Sequence, residues 1–232
     1  MKEYLVKTKR RSCAVNFQIT TDGTKVPIYI IGYDPLTPYT YYFKSRFLIT
    51  GDEEVTLNCP QSPIFLKICV WSGDNLPFQV ASVKLMDLNI PRPTDPIIVF
   101  IEKFSKRAGA SWPGLYYGDA VPFVIEYMRD IYTEDGKVHP TPARISIEDP
   151  VIQVSMEKFK IMSVPERIII LLHEYSHNFK NSDQDDEVEA DSNGLDIYQD
   201  LGYPKIEAMN AFGDIMADTD NNYQRMLNLI NL

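Results

Sequence analysis

The sequence predicts an α+β fold in two parts: an all-β sandwich or barrel over residues 1–90, then a compact α+β domain over residues 95–232. Three observations carry that prediction. Short alternating segments separated by turn signals fill the first ninety residues, as antiparallel strands do. The stretch LNIPRPTDP (88–96) then carries three prolines, too many for the interior of a strand or a helix, and marks a boundary. Beyond it helical periodicity takes over, and one well-capped helix holds two of the chain's three histidines.

Bulk composition narrows the function classes. The chain has 232 residues, 44% hydrophobic and 24% charged, which is enough for a sizeable core in each part. A net charge of −9 argues against nucleic acid or an anionic membrane as the main partner. Lys7, Lys9, Arg10 and Arg11 form the one basic cluster, read as a solvated strand end. Cys13, Cys59 and Cys69 are odd in number and lack metal-ligand spacing, so free thiols in a reducing compartment are expected. The opening MKEYLVKTKRRSC has no apolar signal-peptide core, and no aliphatic run is long enough to span a bilayer. A cytoplasmic protein is the expectation.

In the first part, AVNFQIT alternates Val15, Phe17 and Ile19, and TDGT turns the chain into VPIYII. TYYFKSRFLIT, EEVTLN, IFLKICVW and FQVASVKL follow as further strands. In the second part, Asp95 caps and Pro96 opens a helix, IIVFIEKFSKRA, that Gly109 ends. VPFVIEYMRDIY reads as a strand and EDGK as a turn. ARISI and VIQVS flank EDP as a short hairpin.

The helix SVPERIIILLHEYSHNFK begins with a capping box, Ser163 with Glu166, and has Pro165 in its first turn. Ile168 to Leu172 surround it with aliphatic side chains, so it belongs in a core. His173 and His177 are i and i+4, one turn apart on one face, where both imidazoles reach a single ion. Glu174 is rotated about 100° from His173 by the helical period, free to act as a base. A catalytic zinc needs a third protein ligand and an open position. Eight acidic residues lie between Asp183 and Asp200, most of them a solvated face. Glu187 and Asp191 stand apart, because they share one face at the start of a second helix while Glu189 points the opposite way. Glu187 is placed to ligate, and Asp191 to accept a hydrogen bond from a ligand histidine and fix its tautomer.

HEYSH followed by EVEAD resembles the gluzincin metallopeptidases, whose pattern is His-Glu-x-x-His and then Glu-x-x-x-Asp on the next helix. The resemblance implies a zincin-like domain over residues 95–232, with Zn2+ held by His173, His177 and Glu187, Glu174 as general base and Asp191 behind a ligand. It covers about twenty residues tightly, and the gap of nine residues between His177 and Glu187 is shorter than in many gluzincins. Two rival arrangements fit less well. A metzincin pattern would use Asp183 but has Lys180 where a glycine turn belongs, and an EF-hand loop has Val188 at the glycine position.

The implied activity is hydrolysis of peptide bonds in a protein or peptide substrate, paired to an edge strand before the active helix. Tyr198, Tyr203 and His139 are the candidates for stabilising an oxyanion. The segments TPARI, ILLHE and LGYP also resemble metallopeptidase-like proteins of tailed bacteriophages. That second resemblance implies a virion component, a ring or neck part with limited or no activity, in which the β-rich half docks on protein assembly partners.

Overall fold

The computed structural model describes residues 1–37, 39–119, 123–146, 150–215 and 220–231. Its architecture is α+β, and the chain forms two compact units, Met1–Pro91 and Arg92–Leu232.

In the first unit seven strands form two antiparallel sheets: β1 (Lys2–Lys7), β2 (Cys13–Thr20), β3 (Val26–Tyr33), β4 (Tyr41–Ile49), β5 (Asp52–Cys59), β6 (Phe65–Ser72) and β7 (Gln79–Asp87). The order is β1-β6-β3-β4 in one sheet and β5-β2-β7 in the other. Strand periodicity puts alternate residues inside, and Val15, Phe17 and Ile19 share one core with Ile28, Ile30, Leu66 and Ile68. The strand β1 escaped the sequence reading because Lys2, Glu3 and Lys7 make it look solvated. It is an edge strand whose pairing with β6 supplies what its composition does not. The basic cluster follows it as a tight turn, with Lys9 and Arg10 at φ of 58° and 60°, and Arg11 pairs with Asp87 at 3.0 Å. All three thiols are unlinked.

The second unit starts with α1 (Pro96–Arg107), capped by Asp95 Oδ1 accepting from the Ile97 N–H at 2.8 Å. Strands β8 (Gly114–Tyr117), β9 (Val124–Met128), β10 (Ala143–Ile145) and β11 (Val151–Ser155) form a mixed sheet in the order β10-β11-β9-β8. Only β9 and β11 run parallel; β10 and β11 are the expected antiparallel pair. Val121, Pro122 and the Glu148–Asp149 part of the hairpin loop lie outside the described residues. Five helices follow: α2 (Met156–Ile161), α3 (Val164–Phe179), α4 (Glu187–Asp200), α5 (Lys205–Ile215) and α6 (Asp220–Asn231).

Helix α3 is the axis of this unit, packed against α1, α4, α5 and β10. Both halves of its capping box form between Ser163 and Glu166. Ile168, Ile169, Leu171 and Leu172 are fully buried, each contributing roughly 1.5–3 kcal/mol of transfer free energy. Immediately before them in the chain, Arg167 is also fully buried. Its guanidinium donates to the carbonyls of Phe159 at 2.7 Å and Ser105 at 2.8 Å, near the C-terminal ends of α2 and α1. A cation there complements the negative helix ends, adding a second donor to the Phe159 carbonyl that also accepts from the Met162 N–H.

Candidate metal centre

The site grows out of the contact between α3 and α4. The loop joining them is short, and side chains fasten it. Asp186 caps α4 through bonds from the Val188 and Glu189 N–H groups, and Glu189 turns back to accept from the Ser182 N–H and hydroxyl. Gly194 lets the helices meet closely, since a Cβ there would lie 3.1 Å from the His173 backbone nitrogen. The first turn of α4 is thereby laid across the histidine face of α3.

His173 Nε2 and His177 Nε2 lie 3.2 Å apart. Glu187 Oε2 is 3.4 Å from the first and Glu187 Oε1 is 3.7 Å from the second. These three residues offer ligand atoms that all fall within 4.8 Å of one another, a group able to hold a metal ion. The opposite ring nitrogens fix what the Nε2 atoms can do. His177 Nδ1 is 2.7 Å from the Gln184 carbonyl, which only accepts, so Nδ1 carries the proton and Nε2 presents a lone pair. His173 Nδ1 lies 2.9 Å from Asp191 Oδ1, although the N–H is not well aligned with that oxygen, making this a close ionic contact more than an ideal hydrogen bond. A carboxylate there again calls for Nδ1–H. Two neutral rings in these tautomers aim their lone pairs at each other and at a carboxylate, and only a cation between them relieves that arrangement. The donor set fits a metal on these grounds.

Protonation points the same way. Burial works against a charge on His173, but the bonds to Asp191 and Glu187 and the charge of Glu174 outweigh it and raise the ring to about 10. Glu187 is held down to about 2, first by its bond to His173, against its own burial, and then by the charges of His173, Arg225 and His177. Without a metal, the site fills its need for positive charge with a proton.

Glu174 is buried, and its carboxyl lines the same cavity as the histidines. Burial pushes its pKa up, the two histidine charges pull it down, Glu187 raises it again, and a bond from the Ile145 backbone lowers it. The cavity measures about 460 Å³ and includes His139, Ala143, Ile170, Phe212 and Arg225 in its walls.

No family model, curated protein or solved structure matches the chain. The site therefore stands on its own geometry. All three histidines face this one cavity. Tyr198 and Tyr203 do not line it; both are core residues, stacked at 4.8 Å, and the Tyr198 hydroxyl donates to Glu207 at 3.4 Å. Of the oxyanion candidates only His139 faces the site. Asp183 is exposed and caps its own loop through the Asp185 N–H, which removes it as a rival ligand. Among the described residues, the acidic run as a whole forms no further metal-ligand cluster.

Three contributors were missed in the sequence. Arg225 of α6 donates to both Asp191 oxygens at 2.8 and 2.9 Å and pairs with Glu187 at 3.0 Å. Nothing local marks it, because it lies 34 residues after Asp191. Ile145 acts through its backbone, which no side-chain motif records. Gly194 carried a readable signal, a glycine inside a helix that needs a reason for its cost.

Proposed function

We propose that this chain is a zinc-dependent peptidase of gluzincin type, with the ion held by His173, His177 and Glu187 and with Glu174 as the general base. The observation that carries the reading is the convergence of two histidine lone pairs and a carboxylate beside a second, buried carboxylate in one open cavity. A zinc ion bound there supplies a Lewis acid that polarises a peptide carbonyl and makes water a better acid.

The rest of the work falls to the chain's own groups. Glu174 takes the proton of the attacking water and hands it to the departing amine; burial raises its pKa from the ordinary carboxyl value, which strengthens it as a base. The Ile145 N–H holds that carboxylate toward the cavity. Strand β10 is a sheet edge. The bonds from Ser155 N to Pro142 O and from Ser146 N to Val151 O direct those backbone groups toward β11. By strand alternation the backbone groups of Ala143 and the carbonyl of Ile145 then face the cleft, where an extended peptide adds as a further strand. His139 accepts from the Thr141 N–H through Nδ1 at 3.2 Å, so its Nε2 carries the proton. Burial and then the charges of Arg144 and Lys158 hold its pKa below the usual value, keeping the ring a neutral donor for a developing oxyanion.

The test is metal analysis with a cleavage assay on an unstructured protein such as casein. Purified wild type is expected to carry near-stoichiometric zinc and to cleave in a chelator-sensitive way. Glu174→Gln should keep the zinc and lose roughly 10²–10⁴ in rate. A wild type without zinc, or a Glu174→Gln variant as active as wild type, would overturn the reading.

A further inference from the structure

Arg225 closes a ring of contacts drawn from three helices. Its Nε and Nη2 take the two oxygens of Asp191, and Nη2 also reaches Glu187 Oε2 at 3.0 Å. Asp191 Oδ1 lies 2.9 Å from His173 Nδ1, and Glu187 Oε2 lies 3.4 Å from His173 Nε2. The ring runs from α6 to α4 to α3 and back. The Asp191 side chain is 2% exposed and that of Arg225 13%, so this is a largely desolvated pair. Glu187 is 48% exposed, and an unheld glutamate at such a position has several rotamers to choose from.

We propose that Arg225 is a positioning residue for the metal centre: its guanidinium clamps Asp191 and Glu187 so that His173 and Glu187 face one ion, and metal occupancy is thereby linked to the docking of α6. This rests on the metal reading given above. Apart from Arg225, α6 is held by Leu229 in the core, by Met226 packed against it, and by the Lys205 ammonium donating to the Ile230 carbonyl at 3.1 Å. Arg225 is the contact through which the helix senses the site.

Two effects oppose each other at this position. A guanidinium near a cation site repels a second cation, which would weaken metal binding. Its charge, however, is already matched by the bidentate Asp191 carboxylate, so an incoming ion meets a neutral pair and a fixed Glu187. Removing the arginine leaves the buried Asp191 with only its imperfectly aligned contact to His173, so that the carboxylate can swing away from the ring. Positioning therefore outweighs repulsion, and loss of Arg225 weakens metal binding.

The experiment measures zinc affinity of the full chain by competition with a chromophoric chelator, together with amide hydrogen exchange of α6 with and without zinc. Arg225→Met should bind zinc about 10–100-fold more weakly, as for other residues that orient metal ligands. Arg225→Lys keeps the charge but cannot span both Asp191 oxygens, so an intermediate loss is expected. It also serves if Arg225→Met fails to fold by circular dichroism. In wild type, zinc should slow exchange in α6; in either variant that slowing should shrink. Variants that bind zinc as tightly as wild type or tighter would overturn the proposal while leaving the metal reading intact, as would wild-type α6 exchange that ignores zinc. A wild type that binds no zinc removes both.

Discussion

His173 shows how a single residue ties metal to pH. In the absence of a metal its ring is raised to about 10, so at neutral pH it holds a proton where a ligand lone pair is needed. Metal binding must expel that proton. Because the folded pKa lies above the ordinary histidine value, the proton is bound throughout the range from pH 6 to 8 and competes with the ion across all of it. Apparent zinc affinity should therefore rise up to about tenfold per pH unit in that window. Calorimetric titrations in buffers of different ionisation enthalpy measure the protons released; a pH-independent affinity with no proton release would contradict a protonated His173 in the metal-free site. The identities of His173, His177, Glu187 and Asp191 were legible in the sequence because helical spacing alone puts each pair on one face. Arg225 was not legible, since its place is set by how α6 folds back, and no spacing rule spans 34 residues.

At the scale of elements, strong local signals translated directly. The capping box and aliphatic run specified α3, and alternation specified β2 through β7. Some elements escaped: β8 is four residues with Leu115 and Tyr117 both exposed, and the last two helices went unread. The packing of α5 against α4 carries its own pH dependence. Glu207 presents a carboxyl whose Oε1 is buried and finds no hydrogen-bond donor. Burial pushes it up to about 8, partly offset by the Tyr198 hydroxyl and reinforced by Glu166. A carboxyl raised in the folded state is protonated there while the unfolded chain has already ionised, so its contribution is full below about pH 4.3 and disappears as pH passes through 8. The second unit should lose stability steadily from pH 5 to pH 8, with Tm falling on the order of 5 °C. Glu207→Gln should flatten that slope in thermal melts; an unchanged slope would place the titrating group elsewhere.

The two units hold separate cores, and among the described residues the group able to hold a metal ion lies in the second. The α+β class was readable because the residues after the proline-rich stretch switch from a period of two to a period near 3.6. The parallel pairing of β9 with β11 was not, because it depends on a crossover that local patterns do not encode. Scanning calorimetry should resolve two transitions. Saturating zinc should move only that of the second unit, by about 4 kcal/mol of stability at a thousandfold excess over Kd. A shift in both transitions would mean that the units melt together.

Strand β10 carries one more consequence. An open sheet edge that welcomes a peptide is also a template on which other chains can polymerise. Here the edge is three residues long, Pro140 and Pro142 precede it, and the Asn178 side chain ties down the carbonyl of Ser146 just beyond its end. Such an edge offers little free backbone on which a second molecule could extend a ribbon. The protein can keep a hungry edge in water without seeding its own aggregation.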